Sequence, residues 1–296
     1  MNGALAISGF SDEISQDLDT QLSVVSGLGM HYISLRSVNG KNISEFDESD
    51  IKGIIFPKLQ KWGIGISSIG SPVGKVFIDD EDGYEKQKVL LEKICRFAKL
   101  LDCKYIRIFS FYIPQNENAD KYCDKVIYRL KEFVGIAEKH NVKLLHENEK
   151  DIFGDISRRC KIILEGVASP YFKAIFDFAN FVQCGEDTQK CYELLKEEIV
   201  YFHIKDAISS DRQNVVCGTG EGKIFEILAQ AISNGYTGFL TLEPHLVYFD
   251  ALNDLELEDA KMIIKDNKGL NGSEGYKLQY ESLVKILNRI KPGFMN

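Results

Sequence analysis

Three acidic residues and one histidine occupy equivalent places along the chain. They are spaced by 30, 26 and 40 residues, and the set is Glu147, Asp177, His203 and Glu243. Three carboxylates gathered in one place repel one another strongly unless a cation neutralises them. A set of three oxygen ligands and one nitrogen suits Mn²⁺, Mg²⁺, Co²⁺ or Zn²⁺, and it lacks the thiolates that would favour zinc alone. Each acid taken singly could cap a helix or pair with a lysine, but four residues at matching positions favour one divalent-metal site.

These four residues stand at the ends of short β-branched or aromatic runs. Such runs recur along the chain, each followed by a longer stretch with helical spacing. The predicted strands are Ala4–Ser8, Tyr32–Leu35, Ile64–Ile69, Tyr105–Phe109, Val142–His146, Ala174–Phe176, Ile199–Ile204 and Phe239–Leu242. Eight strand–helix units over about 250 residues predict an α/β protein with a closed (β/α)8 TIM barrel rather than an open doubly wound sheet. The active site of such a barrel forms at the carboxyl ends of its strands, where the four candidate ligands lie.

The barrel is expected to be a single domain over residues 1–296. No linker, low-complexity tract or shift in composition divides the chain. One region is irregular, a charged extension at about 247–275 between the eighth strand and a final helix near Tyr276–Ile290. This extension is predicted to be either a lid over the barrel mouth or a solvated surface segment.

Charge and composition exclude several classes of protein. The 296 residues include 36 Lys and Arg against 44 Asp and Glu, a formal net charge of −8. This excess of acid argues against a protein that binds phosphate backbones, so no nucleic-acid partner is expected. The first residues lack the basic region of a secretory signal, and no apolar run approaches the roughly 18 residues of a membrane span. We therefore expect a cytoplasmic protein with no membrane partner, while association into a homo-oligomer stays open.

Two further polar residues are predicted to lie at the mouth. Arg36 ends the second strand and is expected to contact a substrate hydroxyl or carboxylate, with a salt bridge to Glu13 as the alternative. His245 lies just past the eighth strand, within reach of either the substrate or the metal ligands. His146 precedes Glu147, so strand alternation directs it toward the helices, where a packed and hydrogen-bonded histidine is expected.

The segments around these residues resemble the sugar phosphate isomerase/epimerase family, which belongs to the xylose isomerase-like TIM-barrel superfamily. The resemblance covers nearly the whole chain, and its segments are Leu145–Glu149, Phe176–Phe181, Phe202–Ala207 and Leu242–Leu246, together with Ser11–Glu13 and Leu35–Asn42. It implies one divalent metal ion bound by the same four residues that the strand ends single out.

The resemblance also implies a mechanism. In the ketose 3-epimerases of this group the two metal-binding glutamates act as the acid/base pair. Glu147 and Glu243 would then flank the sugar, one removing a proton next to a carbonyl and the other returning it, with the metal stabilising the enediolate. This chain departs from those enzymes at two positions, where Asn180 replaces a histidine and Lys205 replaces an arginine of the following loop. Both residues are predicted to bind substrate, although Lys205 could instead pair with Asp206 or another carboxylate.

The leading hypothesis is therefore a divalent-metal-dependent isomerase or epimerase that acts on a small-molecule carbohydrate. The first alternative is a dehydratase or lyase for a keto-sugar or keto-inositol, in which the same proton abstraction expels a leaving group. A non-catalytic sugar-binding protein is the alternative from another class. Apurinic-site endonucleases share the barrel but use a three-zinc site rich in histidine, whereas this chain has five histidines in total. The run Cys217–Gly222 lacks the ending of a phosphate loop, so phosphorylated and unphosphorylated sugars are equally admissible.

Overall fold

Eight parallel strands form the wall of a barrel in the computed structural model, which describes residues 5–249, 252, 264 and 269–294. The barrel strands, β1 to β8 in chain order, are Ala6–Gly9, Tyr32–Leu35, Gly65–Gly70, Tyr105–Ile108, Lys143–Glu147, Phe172–Asp177, Ile199–Ile204 and Phe239–Leu242. All eight predicted strands are confirmed, although Ala4, the predicted start of the first, lies outside the described residues. The largest difference in length is at β6, which has six residues where its short apolar run predicts three.

The strands close into a ring. Neighbours pair in the order β1, β8, β7, β6, β5, β4, β3 and β2. A parallel bridge between Phe10, which directly follows β1, and Ser34 of β2 joins these two strands and completes the circle. The prediction of a (β/α)8 barrel is confirmed.

Helices alternate with the strands and pack against their outer faces. In the described part of the chain the α-helices α1 to α10 are Leu18–Gly27, Glu48–Asp50, Phe56–Trp62, Glu81–Leu100, Cys123–Lys139, Ser157–Val167, Phe178–Gln183, Thr188–Leu195, Ile224–Ser233 and Gly272–Ile290. A π-helical segment, Ile51–Ile55, joins α2 to α3. Short 3₁₀ turns occupy Ser11–Glu13, Ile43–Glu45 and Ala119–Tyr122. Among these helices none is both long enough and apolar enough to cross a membrane.

A packed layer of side chains fills the barrel beneath its mouth. Strand alternation turns every second residue inward, and the inward set of this layer is Leu145, Ile175, Tyr201 and Phe239. The Tyr201 hydroxyl is hydrogen-bonded across the barrel to Ser67 at 2.8 Å and accepts a hydrogen bond of 2.6 Å from Thr241 on the neighbouring strand β8. Because a residue two positions further along each strand points the same way, the next inward layer is the one at the mouth.

Only part of the charged extension at about 247–275 is among the described residues, since 250–251, 253–263 and 265–268 lie outside them. Leu252 is buried against Phe249 and Ile264, and Ile264 forms a bridge to Asn214. Asn214 belongs to a two-residue strand, Asn214–Val215, that pairs with Asp206–Ala207 directly after β7. The choice between a lid and a solvated segment stays a prediction, as does the single-domain boundary.

Candidate active site

The ends of β5 to β8 deliver the four predicted metal ligands to one place. Glu147 and Asp177 are the last residues of their strands, His203 is the last but one of β7, and Glu243 directly follows β8. The pairing of β6 with β7 shifts register after Ala174, and Asp177 comes opposite His203. Each ligand lies two residues beyond a member of the packed layer or of its hydrogen-bond network, which explains why all four point inward.

The four side chains converge in a buried cluster. Their candidate ligand atoms all lie within 4.8 Å of one another. His203 Nδ1 is 2.6 Å from Glu147 Oε1, 3.2 Å from Glu243 Oε2 and 3.9 Å from Asp177 Oδ2. The structure therefore brings together the residues that the sequence singled out, while their role as metal ligands stays a prediction.

Asp177 uses its two carboxylate oxygens for different purposes. Oδ1 accepts a hydrogen bond of 2.8 Å from the backbone N–H of Asn180 and caps the start of α7. Oδ2 is buried, accepts no hydrogen bond from any described residue, and lies 3.2 Å from Lys205 Nζ. Burial raises the pKa of Asp177 to about 8, although Lys205 opposes the shift. A buried oxygen without a hydrogen-bond donor is costly to keep, and a bound cation would satisfy it.

Glu147 and Glu243 each divide their oxygens between the cluster and an arginine. Glu147 Oε1 faces His203, and its Oε2 lies 3.1 Å from Arg107 Nη1. Glu243 Oε2 faces His203 and lies 3.6 Å from Lys205 Nζ, whereas its Oε1 lies 3.8 Å from Arg107 Nη1. Burial favours the protonated acids, but the positive charges of His203 and Arg107 hold the pKa of Glu147 below its usual value. Lys205 and His203 hold the pKa of Glu243 well below its usual value.

His203 responds to the same carboxylates in the opposite direction. Burial alone would lower its pKa, but Glu147 and Glu243 outweigh burial and raise the pKa to about 9. The metal-free cluster therefore holds a protonated histidine at neutral pH. A cation bound there would have to displace that proton, because a metal ligand must be deprotonated.

Arg36 is fully engaged with carboxylates. Its Nε and Nη2 donate to Asp12 at 2.8 and 3.0 Å, and its Nη1 donates to Glu243 Oε1 at 3.0 Å. The predicted salt bridge with Glu13 is also found, at 3.4 Å. Glu13 Oε2 in turn accepts a 2.7 Å hydrogen bond from the backbone N–H of His245. Asp12 is a site residue that the sequence pattern does not single out, although it lies within the Ser11–Glu13 segment that resembles the family.

Lys205 pairs with other carboxylates of the barrel mouth, Asp177 and Glu243, and not with Asp206, so the predicted alternative of a carboxylate partner is confirmed with partners other than Asp206. The Asp206 carboxylate is held instead by backbone N–H groups at 2.8 to 3.0 Å, which belong to Ala207, Gly218, Gly220 and Gly222. The run Cys217–Gly222 thus wraps around a carboxylate of its own chain. This arrangement agrees with the absence of a phosphate-loop ending in its sequence.

The remaining predicted residues lie close to the cluster. The side-chain amide of Asn180 donates to the Asn148 carbonyl at 2.8 Å, so it helps to hold β5 beside β6. His245 is buried with both ring nitrogens lacking a hydrogen-bond partner in the described region, and its Nε2 lies 3.6 Å from Glu243 Oε1. Burial and the nearby Lys205 lower the pKa of His245 well below its usual value. His146 points away from the mouth and bonds to a serine hydroxyl at 3.0 Å, as expected.

The donor set and the charges fit a divalent cation. In the described part of the mouth, one network of ion pairs joins five buried carboxylates to three buried cations; the acids are Asp12, Glu13, Glu147, Asp177 and Glu243, and the cations are Arg36, Arg107 and Lys205. With His203 neutral, one divalent cation offsets the difference of two charges. Without it, protons must do so, which agrees with the raised pKa of His203 and with burial raising the pKa of Glu13 to about 8.

A cavity of about 300 Å³ opens beside the carboxylates that pair with Arg36. Glu13, Asp12 and Phe249 are among the residues that line it, whereas the four candidate ligands do not. The Phe249 ring also lies 5.6 Å from the His245 ring and 5.2 Å from the Arg36 guanidinium. The volume is at the lower end of the range for small-molecule sites, so the cavity has room for a small ligand beside Asp12 and Glu13.

Comparisons with known proteins agree with this fold. The family model described as "Xylose isomerase-like TIM barrel" matches residues 24–265. A xylose isomerase domain protein from Alicyclobacillus acidocaldarius has a TM-score of 0.72 and 16% identity, over 97% of this chain and 100% of that one. The IOLI protein with a bound zinc atom has a TM-score of 0.75 and 15% identity, over 97% and 99%. An L-ribulose 3-epimerase has a TM-score of 0.75 and 15% identity, over 97% and 96%. No curated protein matches the sequence.

Proposed function

Because the chain belongs to the xylose isomerase-like TIM barrel family, we propose that it is a divalent-metal-dependent isomerase or epimerase of a small carbohydrate. Solved structures with the same fold include an L-ribulose 3-epimerase and a D-tagatose 3-epimerase-like protein. At 15–16% identity these likenesses concern the fold, so the proposal depends on the chemistry of the site itself.

One observation carries the proposal: in each of the two glutamates, the two carboxylate oxygens face different partners. Each glutamate has one oxygen among the candidate ligand atoms and its other oxygen directed elsewhere, toward Arg107 from Glu147 and toward Arg36 from Glu243. Each can therefore bind a cation through one oxygen and exchange a proton through the other. Two such groups in one site are what inversion at a carbon atom requires, since one must remove the proton and the other must return it.

The remaining residues have roles that follow from their contacts. Glu147 and Glu243 form the acid/base pair. The lowered pKa of each favours the ionised form that removes the proton, and the glutamate on the opposite face must first take up a proton from solvent before it can return one to the carbon. A divalent cation held by Glu147, Asp177, His203 and Glu243 supplies Lewis-acid stabilisation of negative charge on the substrate oxygens. Lys205, buried between Asp177 and Glu243, keeps a positive charge beside the developing negative charge.

The test is exchange of solvent deuterium into a ketose. Metal-loaded protein is incubated in D₂O with L-ribulose or D-tagatose, and label at the carbon next to the carbonyl is measured by NMR. Glu147→Gln and Glu243→Gln, assayed at a Mn²⁺ concentration that restores one ion per chain, should each lower the exchange rate by at least about 100-fold while sugar binding to the metal-loaded variants changes far less. Glu149→Gln is the matched control, because Glu149 is a buried glutamate just past β5 that instead lies 3.7 Å from Lys75 Nζ.

Three outcomes separate the alternatives. Exchange that persists in Glu243→Gln at the wild-type rate removes Glu243 from the acid/base role. Loss of water from a keto-sugar or keto-inositol without any epimer assigns the site to the dehydratase or lyase alternative. Sugar binding that is unchanged after metal removal, with no exchange under any condition, assigns the chain to the sugar-binding alternative.

A further inference from the structure

Arg107 is a buried arginine inside the barrel that the proposed acid/base chemistry does not use. It lies in the middle of β4 and is 2% exposed. Its guanidinium carbon lies 5.0 Å from the centre of the Phe10 ring and 4.9 Å from that of Phe109. Two aromatic rings thus hold the planar group in one orientation beside the cluster.

The guanidinium uses only one of its three nitrogens for contacts with the cluster. Nη1 lies 3.1 Å from Glu147 Oε2 and 3.8 Å from Glu243 Oε1, so it stands between the two proposed acid/base groups. Nε and Nη2 are buried and donate no hydrogen bond to any residue that the structure describes. These two nitrogens share one edge of the plane, and their N–H groups point in parallel as a fork for two oxygens.

Unpaired charged donors are rare in a protein interior because they lose their hydration without compensation. Arg36, two strands away in the ring order, uses the same Nε and Nη2 edge to bind Asp12. The corresponding edge of Arg107 has no carboxylate of this chain within hydrogen-bond distance in the described region. A ligand that supplies two neighbouring oxygens would complete it.

The charge of the site indicates which oxygens these are. With one divalent cation and neutral His203, the five buried carboxylates are balanced by Arg36, Arg107, Lys205 and the cation. An anionic group on the substrate would leave the buried site with excess negative charge, whereas adjacent hydroxyl or carbonyl oxygens of a neutral sugar would not. We propose that the Nε and Nη2 edge of Arg107 binds two neighbouring oxygens of an uncharged sugar, a role that rests on the proposed carbohydrate site.

The experiment measures equilibrium binding, which does not depend on turnover. Mn²⁺-loaded protein is titrated calorimetrically with L-ribulose, with D-tagatose and with the 3-deoxy and 4-deoxy derivatives of the latter. Arg107→Lys keeps the positive charge near Glu147 but removes the fork, so the parent sugars should bind about 10- to 100-fold more weakly. If the fork binds the missing hydroxyl, one deoxy derivative should bind wild-type protein at least about tenfold more weakly than its parent sugar. In Arg107→Lys protein, which lacks the fork, the two sugars should bind equally. Arg107→Gln is a second variant should the lysine variant not fold.

Arg129→Lys is the matched control. Arg129 is also 2% exposed and lies between two rings, with its guanidinium carbon 4.2 Å from Tyr84 and 5.6 Å from Phe111, but it is on α5. This variant should lose stability and keep sugar affinity. A deoxy penalty that is equal in wild-type and Arg107→Lys protein overturns the proposal, and so does the absence of any ketose binding. Tighter and Arg107-dependent binding of D-galacturonate or D-tagatose 6-phosphate also overturns it, because the fork would then hold an anion. Arg107-dependent sugar binding without any deuterium exchange would leave this inference standing and refute the isomerase function.

Discussion

The two oxygens of Asp177 allow its structural role and its proposed metal-binding role to be separated by substitution. Asp177→Asn keeps an oxygen that can accept the hydrogen bond from the Asn180 N–H and cap α7, but it removes the negative charge at Oδ2. Asp177→Ala removes both. We expect each substitution to abolish binding of a divalent cation, because both eliminate one of three carboxylate ligands from the cluster.

The magnitudes differ with and without metal. Since burial raises the pKa of Asp177 to about 8 in the metal-free protein, the group is largely neutral at pH 7, and Asn replaces a group of the same shape and charge. Asp177→Asn should therefore keep at least wild-type stability when metal is removed, whereas Asp177→Ala should lose about 1 kcal/mol with its helix cap. Metal at 100 times its dissociation constant should stabilise the wild-type protein by about 2.7 kcal/mol. At about 2–4 °C per kcal/mol this raises Tm by roughly 5–10 °C.

The assay is thermal denaturation of all three proteins in EDTA and in a Mn²⁺ series, with metal content measured by mass spectrometry after dialysis. Wild-type protein should bind about one ion per chain and show the rise in Tm, and neither variant should do so. A metal-dependent rise in Tm that survives in Asp177→Asn would refute the ligand assignment. A loss of several kcal/mol by Asp177→Asn in EDTA would refute the account of its charge state.

Three further predictions concern protons and packing. Because the pKa values of His203 and Asp177 in the metal-free cluster are raised to about 9 and about 8, binding of one divalent ion at pH 7 should release between one and two protons, measured by calorimetry in buffers of different ionisation enthalpy. Burial lowers the pKa of His146 to about 3, so the folded protein loses stability as the pH falls from 6.5 toward 3 and the unfolded chain takes up the proton first. His146→Gln removes this group, and the free energy of unfolding measured in urea should therefore fall by about 3 kcal/mol less between pH 7 and pH 4 than it does in wild-type protein. Gly220→Ala should cost about 2 kcal/mol because a Cβ there would lie 2.5 Å from the Ala207 carbonyl oxygen, whereas Gly135→Ala, in an open helical position, should gain about 0.5–1 kcal/mol.

The barrel could be predicted because its signals are local. A run such as Tyr32–Leu35 or Phe239–Leu242 carries β-branched and aromatic residues over the length of one strand, and its bounds agree with the structure. The strand Phe172–Asp177 was predicted as three residues because Lys173 interrupts the apolar run. In the structure Lys173 lies at the amino end of the barrel and pairs with Glu198, a long-range contact that no local pattern reveals.

Most of the candidate metal ligands could also be predicted from a local rule, the alternation of side chains along a strand. Once a strand end is known, alternation along the strand fixes which residue points inward, and Glu147, Asp177 and His203 follow from that rule alone. The partners of these residues depend on how distant strands pair around the ring. The register of β1 with β8 and the turn after β1 set Asp12 beside Arg36, so the sequence suggested one partner for Arg36, Glu13, where the structure shows three.

Arg107 contacts the residues at the barrel mouth although it lies within a strand and not at its end. An inward-facing arginine within a four-residue strand is expected to lower stability, because its charge must be buried. In the ring, however, a side chain of its length extends from β4 to the mouth and reaches Glu147 on the neighbouring strand and Glu243 on β8. The long side chain therefore places the guanidinium of a residue inside a strand beside the two proposed acid/base residues. The net charge of −8 does not reveal this arrangement, because it does not show that five acids and three cations meet in one buried network, nor which carboxylate oxygens face the arginines and which face His203.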